Sequence, residues 1–219
     1  MLYRNKILFF RSGLLEWFDS NKRDFPWREE HVSNYELIVS EILLQRTNSE
    51  TVSRYYRTFF DTYPSWDSML EATIEDFEII FKPLGLYRQR AQRLYKIIRE
   101  YKKRNGFLPS NVNELHESNL ATPYISNAYE LFVLKQSAAL LDVNMIRVLS
   151  RFYLKNELHA GKPNNQIREL AYNVIDIKNC KELNWAILDY GAKVCRALKP
   201  KCNECMLRFK CNYFSNKVK

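Results

Sequence analysis

The chain has 219 residues, of which 46% are hydrophobic, and a formal net charge of +9. That length holds one large domain or two small ones, and the charge favours a polyanionic partner, with a merely basic soluble protein as the plainer reading. No apolar run approaches the roughly 18 residues of a membrane helix. The start, MLYRNKILFFRSGLLEWF, lacks the apolar core and cleavage site of a signal peptide, so a cytoplasmic, DNA- or RNA-facing protein with no membrane contact is expected. Everything reads as helix, because glycine is scarce, strand alternation is missing and apolar residues recur at three- and four-residue intervals. Residues 3–19 form one amphipathic helix, followed by a break at Asp24-Phe25-Pro26-Trp27-Arg28. Helices are expected over 35–46 and 49–62, the second ended by Tyr63-Pro64, then short ones over 66–71 and 74–80. Pro83-Leu84-Gly85-Leu86 makes a turn ahead of a long basic helix over 88–104. Beyond Pro109 come a short helix near 111–117 and another over 124–135. A further helix opens after Asp142 and reaches Leu154, and the last two cover 164–177 and 181–194. The expected architecture is all-α, two compact helical lobes with a cleft between them.

The last quarter of the chain carries Cys195, Cys202, Cys205 and Cys211 in the order C-x6-C-x2-C-x5-C. Four thiolates so close in sequence can close around one metal centre. Only Cys202 and Cys205 form the CxxC unit usual for zinc, while all-cysteine ligation also suits a [4Fe–4S] cluster. Spacing leaves both open, with a disulfide pair behind them for want of an oxidising compartment. Cys180 is the odd thiol, read as buried or inert. From Lys193 onward eight Lys and Arg stand against Glu204 alone, a basic surface suited to phosphates.

Three further places carry chemistry. Glu41 lies in a helix apolar on most of its circumference, where burial should raise its pKa and make it a general acid or base; the plainer reading is a structural carboxylate paired with a cation. Asp142 follows an apolar run and precedes a helix, the position of an N-cap, and a carboxylate fixed there is also aimed. The turn at Gly85 leads into Arg88, Arg90 and Arg93 and offers a phosphate the amides of a helix start, unless that face is simply solvated. The histidines His31, His116 and His159 show no metal spacing.

Taken together, five segments resemble the helix-hairpin-helix DNA glycosylases of the endonuclease III type over residues 25–214. They are Phe25 to Arg28, Val39 to Thr47, Gly85 to Ala91, Leu141 to Leu149, and Asn184 to Asp189 with Gly191-Ala192, and the cysteine pattern looks like that family's iron–sulfur loop. The resemblance implies a helical barrel domain over 24–136 with a helix-hairpin-helix region. It implies a second domain from 1–23 plus 137–219, ending in a [4Fe–4S] loop at 195–211 whose ligands are Cys195, Cys202, Cys205 and Cys211. It also implies a monomer that binds double-stranded DNA, flips one nucleotide and cuts its N-glycosidic bond. Asp142 would stabilise the cationic sugar or position water, Glu41 would act on the base or the water, and Gln45 and Arg46 would fill the gap or touch the widowed partner. Trp27, Arg28, Gly85, Arg88 and Tyr124 are the further residues expected at the DNA.

The slot where a lysine would form a Schiff base falls at Ser126, with Tyr124 competing, so a monofunctional enzyme is expected. The family's Leu-Pro-Gly-Val-Gly hairpin is replaced by Leu120-Ala-Thr-Pro-Tyr124. Without the glycines' freedom to approach a phosphate, that grip should be weakened or rebuilt. Leu43 to Thr47, the KPKCNEC run and the short tail after Cys211 lean towards thymine opposite guanine, with uracil opposite guanine second. Adenine opposite guanine or oxidised guanine is the runner-up. A non-catalytic DNA-binding relative with the same fold, or a zinc-knotted RNA-binding module, are the readings from other classes.

Overall fold

A computed structural model describes residues 2–118, 123–154 and 163–217. The fold is all-α, and no strand occurs among the described residues. The helices are α1 (Leu2–Asn21), α2 (Asn34–Leu44), α3 (Ser49–Thr62), α4 (Ile74–Phe81), α5 (Tyr87–Lys103), α6 (Val112–Glu117), α7 (Pro123–Phe132), α8 (Val143–Tyr153), α9 (Asn165–Ile175), α10 (Cys180–Lys193) and α11 (Asn212–Lys217). None of them is long and apolar enough to cross a membrane. The chain divides into two compact units, one of Met1–Arg23 with Gln136–Lys219, the other Asp24–Lys135.

Local sequence explains where most helices begin. Ser33 and Glu36 form a reciprocal capping box at the start of α2, and Thr73 with Asp76 does the same for α4. Asn48, Asn111, Asp142 and Asn164 cap α3, α6, α8 and α9 through their side chains.

Three expectations need correction. The helix expected over 35–46 stops at Leu44, because Gln45 leaves helical angles and Arg46 turns left-handed at φ 57°. The segment 66–71 is a three-residue 3-10 turn, Asp67–Met69, pinned by mutual hydrogen bonds between Ser65 and Ser68. The helix expected to reach 135 ends at Phe132, where Leu134 N bonds back to Tyr129 O at 3.1 Å and Lys135 adopts φ 56°. The break at 24–28 encloses a 3-10 turn, Pro26–Arg28. Short 3-10 turns also punctuate the cysteine loop at Cys202–Glu204 and Arg208–Lys210, and α11 follows the last cysteine. The altered hairpin falls partly at Leu120, Ala121 and Thr122, outside the described residues, as does His159.

In the Asp24–Lys135 unit, α2 packs on α3 and α7 while α4 packs on α5. Its core is strongly aromatic: Phe59, Phe77 and Phe81 are fully buried, with Phe59 stacked on Phe81 at 5.7 Å. In the other unit α10 lies against α1 and α8, and α8 also carries α9 and α11. Phe10, Leu14 and Tyr190 form its centre, with Trp17 edge-on to Tyr190 at 4.9 Å.

Candidate active site and cysteine loop

In the Asp24–Lys135 unit, Glu41 is 4% exposed on α2 between Ile38 and Ile42. The Tyr124 hydroxyl, from the first turn of α7, donates to Glu41 Oε2 at 2.8 Å. Burying a carboxylate without donors is costly, so this contact fixes where the carboxyl points. Ser126 sits on the same helix but is buried, 4% exposed. Tyr124, only half-buried, is the residue of the two that meets Glu41.

Past the end of α2, Gln45 is half-buried and Arg46 is exposed. Gly85 takes φ 70°, ψ 168° with open space around it, so its glycine is required by the backbone rather than by crowding. Arg88 is exposed and lies 5.5 Å from the Tyr87 ring. Trp27 is 3% exposed, stacked on Phe25 at 4.6 Å and close to Tyr56. Its indole is a core side chain of this unit. Arg28 is half-buried with its guanidinium 5.2 Å from the Phe25 ring.

In the other unit, Asp142 is the N-cap of α8. Its Oδ1 accepts from the amides of Asn144 (2.8 Å) and Met145 (2.7 Å), and its Oδ2 accepts from Asn144 Nδ2 (2.6 Å). Burial pushes this carboxyl's pKa up; the donors at Met145 and Asn144 and the charge of Arg147 pull against that without cancelling it. The segment leading to Asp142 is held by fully buried Asn184, which accepts from Leu140 N at 2.7 Å and donates to Ala138 O at 3.0 Å and Cys180 O at 2.8 Å. Asp189, fully buried two turns along α10, accepts from the backbone and side chain of Arg23.

The same helix α8 runs from Asp142 to the cysteines. Asn144, Arg147 and Arg151 lie on one face by their three- and four-residue spacing. Arg147 Nη2 donates to Asn144 Oδ1 and to Gly191 O, both at 2.8 Å, and its Nε donates to Cys195 O at 2.9 Å. Buried Arg151 donates to Arg196 O (2.7 Å) and Ala197 O (3.1 Å) and reaches Cys195 Sγ at 3.7 Å. Gly191 permits this approach, since a Cβ there would stand 3.0 Å from Asn144 Cβ and 3.3 Å from Arg147 Nη2.

All five cysteines are free thiols and half-buried. The Tyr190 hydroxyl donates to Cys205 Sγ at 3.0 Å. Burial raises the thiol pKa of Cys195, Cys205 and Cys211; Arg151 opposes this at Cys195 and Tyr190 at Cys205. Cys205 is within electrostatic reach of Cys195 and Cys211. Among the described residues no three His, Cys, Asp or Glu side chains are drawn to metal-ligand distances. The donor set nevertheless suits a thiolate-bound centre: four thiols on one loop, with a guanidinium and a phenol aimed at two sulfurs.

Sequence reasoning passed over Arg147 and Arg151, and it grouped Arg90 on α5 with the exposed cations beside it although the side chain is buried. The three-residue and seven-residue spacing of Asn144, Arg147 and Arg151 was the available signal for the first two.

The described geometry agrees with what comparison with known proteins finds. Residues 39–172 match the family model of the HhH-GPD superfamily base excision DNA repair protein. The thymine/uracil-DNA glycosylase of Methanothermobacter thermautotrophicus is 28% identical, over 94% of this chain and 93% of that one. The thymine/uracil-DNA glycosylase of Pyrobaculum aerophilum is 31% identical over 90% and 88%. A solved thermostable thymine-DNA glycosylase superposes with a TM-score of 0.90 at 27% identity, covering 99% of this chain and all of that one. Adenine DNA glycosylases match too, though this chain spans only 49% of the Schizosaccharomyces pombe protein. The chain therefore belongs to the HhH-GPD superfamily of base excision DNA repair proteins.

Proposed function

We propose that this protein is a monofunctional DNA N-glycosylase that removes thymine, and secondarily uracil, opposite guanine in duplex DNA. The observation that carries this reading is Asp142, a carboxylate fixed at the start of α8 by three donors from its own helix turn. A relative that aligns over more than nine-tenths of both chains bears the thymine/uracil name. As the C1′–N bond of a flipped nucleotide breaks, its electron pair leaves with the base and positive charge grows on the sugar. An ionised carboxylate held beside that carbon stabilises the charge, and water then adds to C1′, giving up its proton to a carboxylate. Glu41, oriented by Tyr124, would be the second acidic group, working on the base or the water.

Cys195, Cys202, Cys205 and Cys211 would hold a [4Fe–4S] cluster, which supplies a structural cross-link to a loop with little secondary structure. The loop's cations, with Arg46 and Arg88 on the other unit, provide the charge that duplex DNA needs. Adenine opposite guanine is the second reading, favoured by the adenine glycosylase matches.

The monofunctional reading has a direct test at Tyr124, the residue on α7 that meets Glu41. Neither a phenol nor a serine hydroxyl forms a Schiff base. Tyr124→Lys should gain a borohydride-trappable covalent adduct with DNA that the unaltered protein lacks, whereas Ser126→Lys should not, because Ser126 is sealed in the core. A trapped adduct with the unaltered protein would make it a glycosylase/lyase.

A further inference from the structure

Arg90 stands in the cationic run Tyr87-Arg88-Gln89-Arg90-Ala91-Gln92-Arg93, yet it is 5% exposed while Arg88 and Arg93 face solvent. Its Nε donates to Gly85 O at 2.9 Å, back across the start of its own helix. Its Nη1 donates to Ile42 O at 3.1 Å and Leu43 O at 2.9 Å, and its Nη2 to Gln45 O at 2.5 Å and to Thr47 Oγ1. The Thr47 hydroxyl in turn donates to Leu84 O at 3.4 Å. One guanidinium and one hydroxyl thus join the turn after α2 to the turn before α5.

Each of these turns displays a side chain on a backbone that favours glycine. Arg46 has φ 57° and Leu86 has φ 49°, and both are exposed, Leu86 by 46%. Left-handed angles are strained for a side-chain-bearing residue, and such angles persist only where the surroundings over-determine them. Capping the last carbonyls of α2 would account for part of the Arg90 network. It does not account for the bonds to Gly85 and, through Thr47, to Leu84, which belong to the other turn.

We propose that Arg90 and Thr47 form a latch that fixes these two turns as one rigid unit, so that Arg46 and Leu86 are presented together to duplex DNA at the mispair. Arg90 is a positioning residue, reaching DNA only through the turns it ties. Presented from two tied turns, a guanidinium and an apolar side chain suit a step left unstacked when a nucleotide leaves the helix. The proposal rests on the glycosylase reading for its ligand.

Two variants test it. Thr47→Val keeps the side chain's shape, removes the hydroxyl's part of the latch (its bonds to Leu84 O and Arg90) and leaves Arg90 its carbonyl partners on both turns. Arg90→Lys keeps the charge but not the span. Both are compared with the unaltered protein for melting temperature, affinity for mispaired and matched duplexes, single-turnover base release, and fluorescence of 2-aminopurine placed beside the mispair.

The latch predicts that base release slows by about tenfold or more, as expected when a positioning contact is lost. It also predicts that the fluorescence rise is lost while affinity for matched DNA stays within about twofold, because the phosphate-binding charges are intact. Unstacking of the probe at the unaltered rate in both variants would overturn the latch. So would an equal loss of matched and mispaired binding that tracks a fall in melting temperature, which is plain support of the fold. Should Arg90→Lys fail to fold, Thr47→Val decides alone. An unaltered protein that releases no base overturns the glycosylase reading, while the fluorescence and the ratio of mispaired to matched affinity still judge the latch.

Discussion

Asp142→Asn should abolish base release, by roughly 10²–10³-fold or more from loss of charge stabilisation alone, while leaving the protein as stable as before or more so. The two effects separate because the side chain does two things. As an N-cap, Asn serves α8 as well as Asp does, and its amide oxygen can still accept from the Asn144 and Met145 amides that bond Oδ1. As a charge, Asp142 is held at a cost, since burial raises its pKa. A carboxyl whose folded pKa lies above its unfolded value favours the fold when protonated, and that contribution is lost as pH rises through the folded pKa. The Asn variant stays neutral throughout, so its advantage in melting temperature should be absent in acid and appear above the ordinary Asp range. Activity moves the other way: single-turnover rates should fall with acid at a higher pH than an unperturbed Asp would give. Asp142→Ala, by contrast, should cost stability, about 1 kcal/mol for a lost cap. Equal rates in Asp142→Asn and the unaltered protein would leave a DNA-binding protein whose residual activity came from elsewhere.

The second large effect belongs to the cysteine loop. Cys205→Ser should give a protein without broad visible absorbance, with residues 195–211 open to proteolysis and with weakened DNA binding. The loop contains only two three-residue 3-10 turns, and its buried apolar anchor is Leu207 against Gly13. Arg151 and Arg147 tether one end of it through carbonyls of residues 191–197. Metal binding at structural thiolate sites is folding free energy, of order 10–16 kcal/mol in small zinc domains, far more than one leucine supplies. Cys180→Ser should change none of these properties, because Cys180 contributes a carbonyl to Asn184 at the start of α10 and stands apart from the loop. Metal analysis of the purified protein then separates iron and sulfide from zinc.

Helix positions were legible because caps and apolar spacing are local: Ser33 with Glu36 and Thr73 with Asp76 announce α2 and α4 in the sequence itself. Asp142 was legible for the same reason, a carboxylate between an apolar run and a helix. Helix ends were less so. The sequence around Leu44 continues to read as helix, and what stops it is a guanidinium from α5 that takes the carbonyls of Ile42 and Leu43. Arg90 itself was hidden by its neighbours, since a run of cations reads as a solvated face and only tertiary packing singles out the buried one. The sequence shows Trp27 only as part of a break between helices, and it is stacking on Phe25 that draws the indole inside. Spacing alone leaves Tyr124 and Ser126 both open, and the Tyr124 hydroxyl bond to Glu41 on another helix is a contact that no local pattern announces.

The most direct test is single-turnover assay of the purified protein on duplexes carrying T:G, U:G, A:G and A opposite 8-oxoguanine, with T:A as control, each sampled before and after alkali. Release of thymine and uracil opposite guanine, with strand cutting that appears only after alkali, is the result predicted here. Release of adenine alone, or tight binding to all the mispairs with no base released from any, would contradict it.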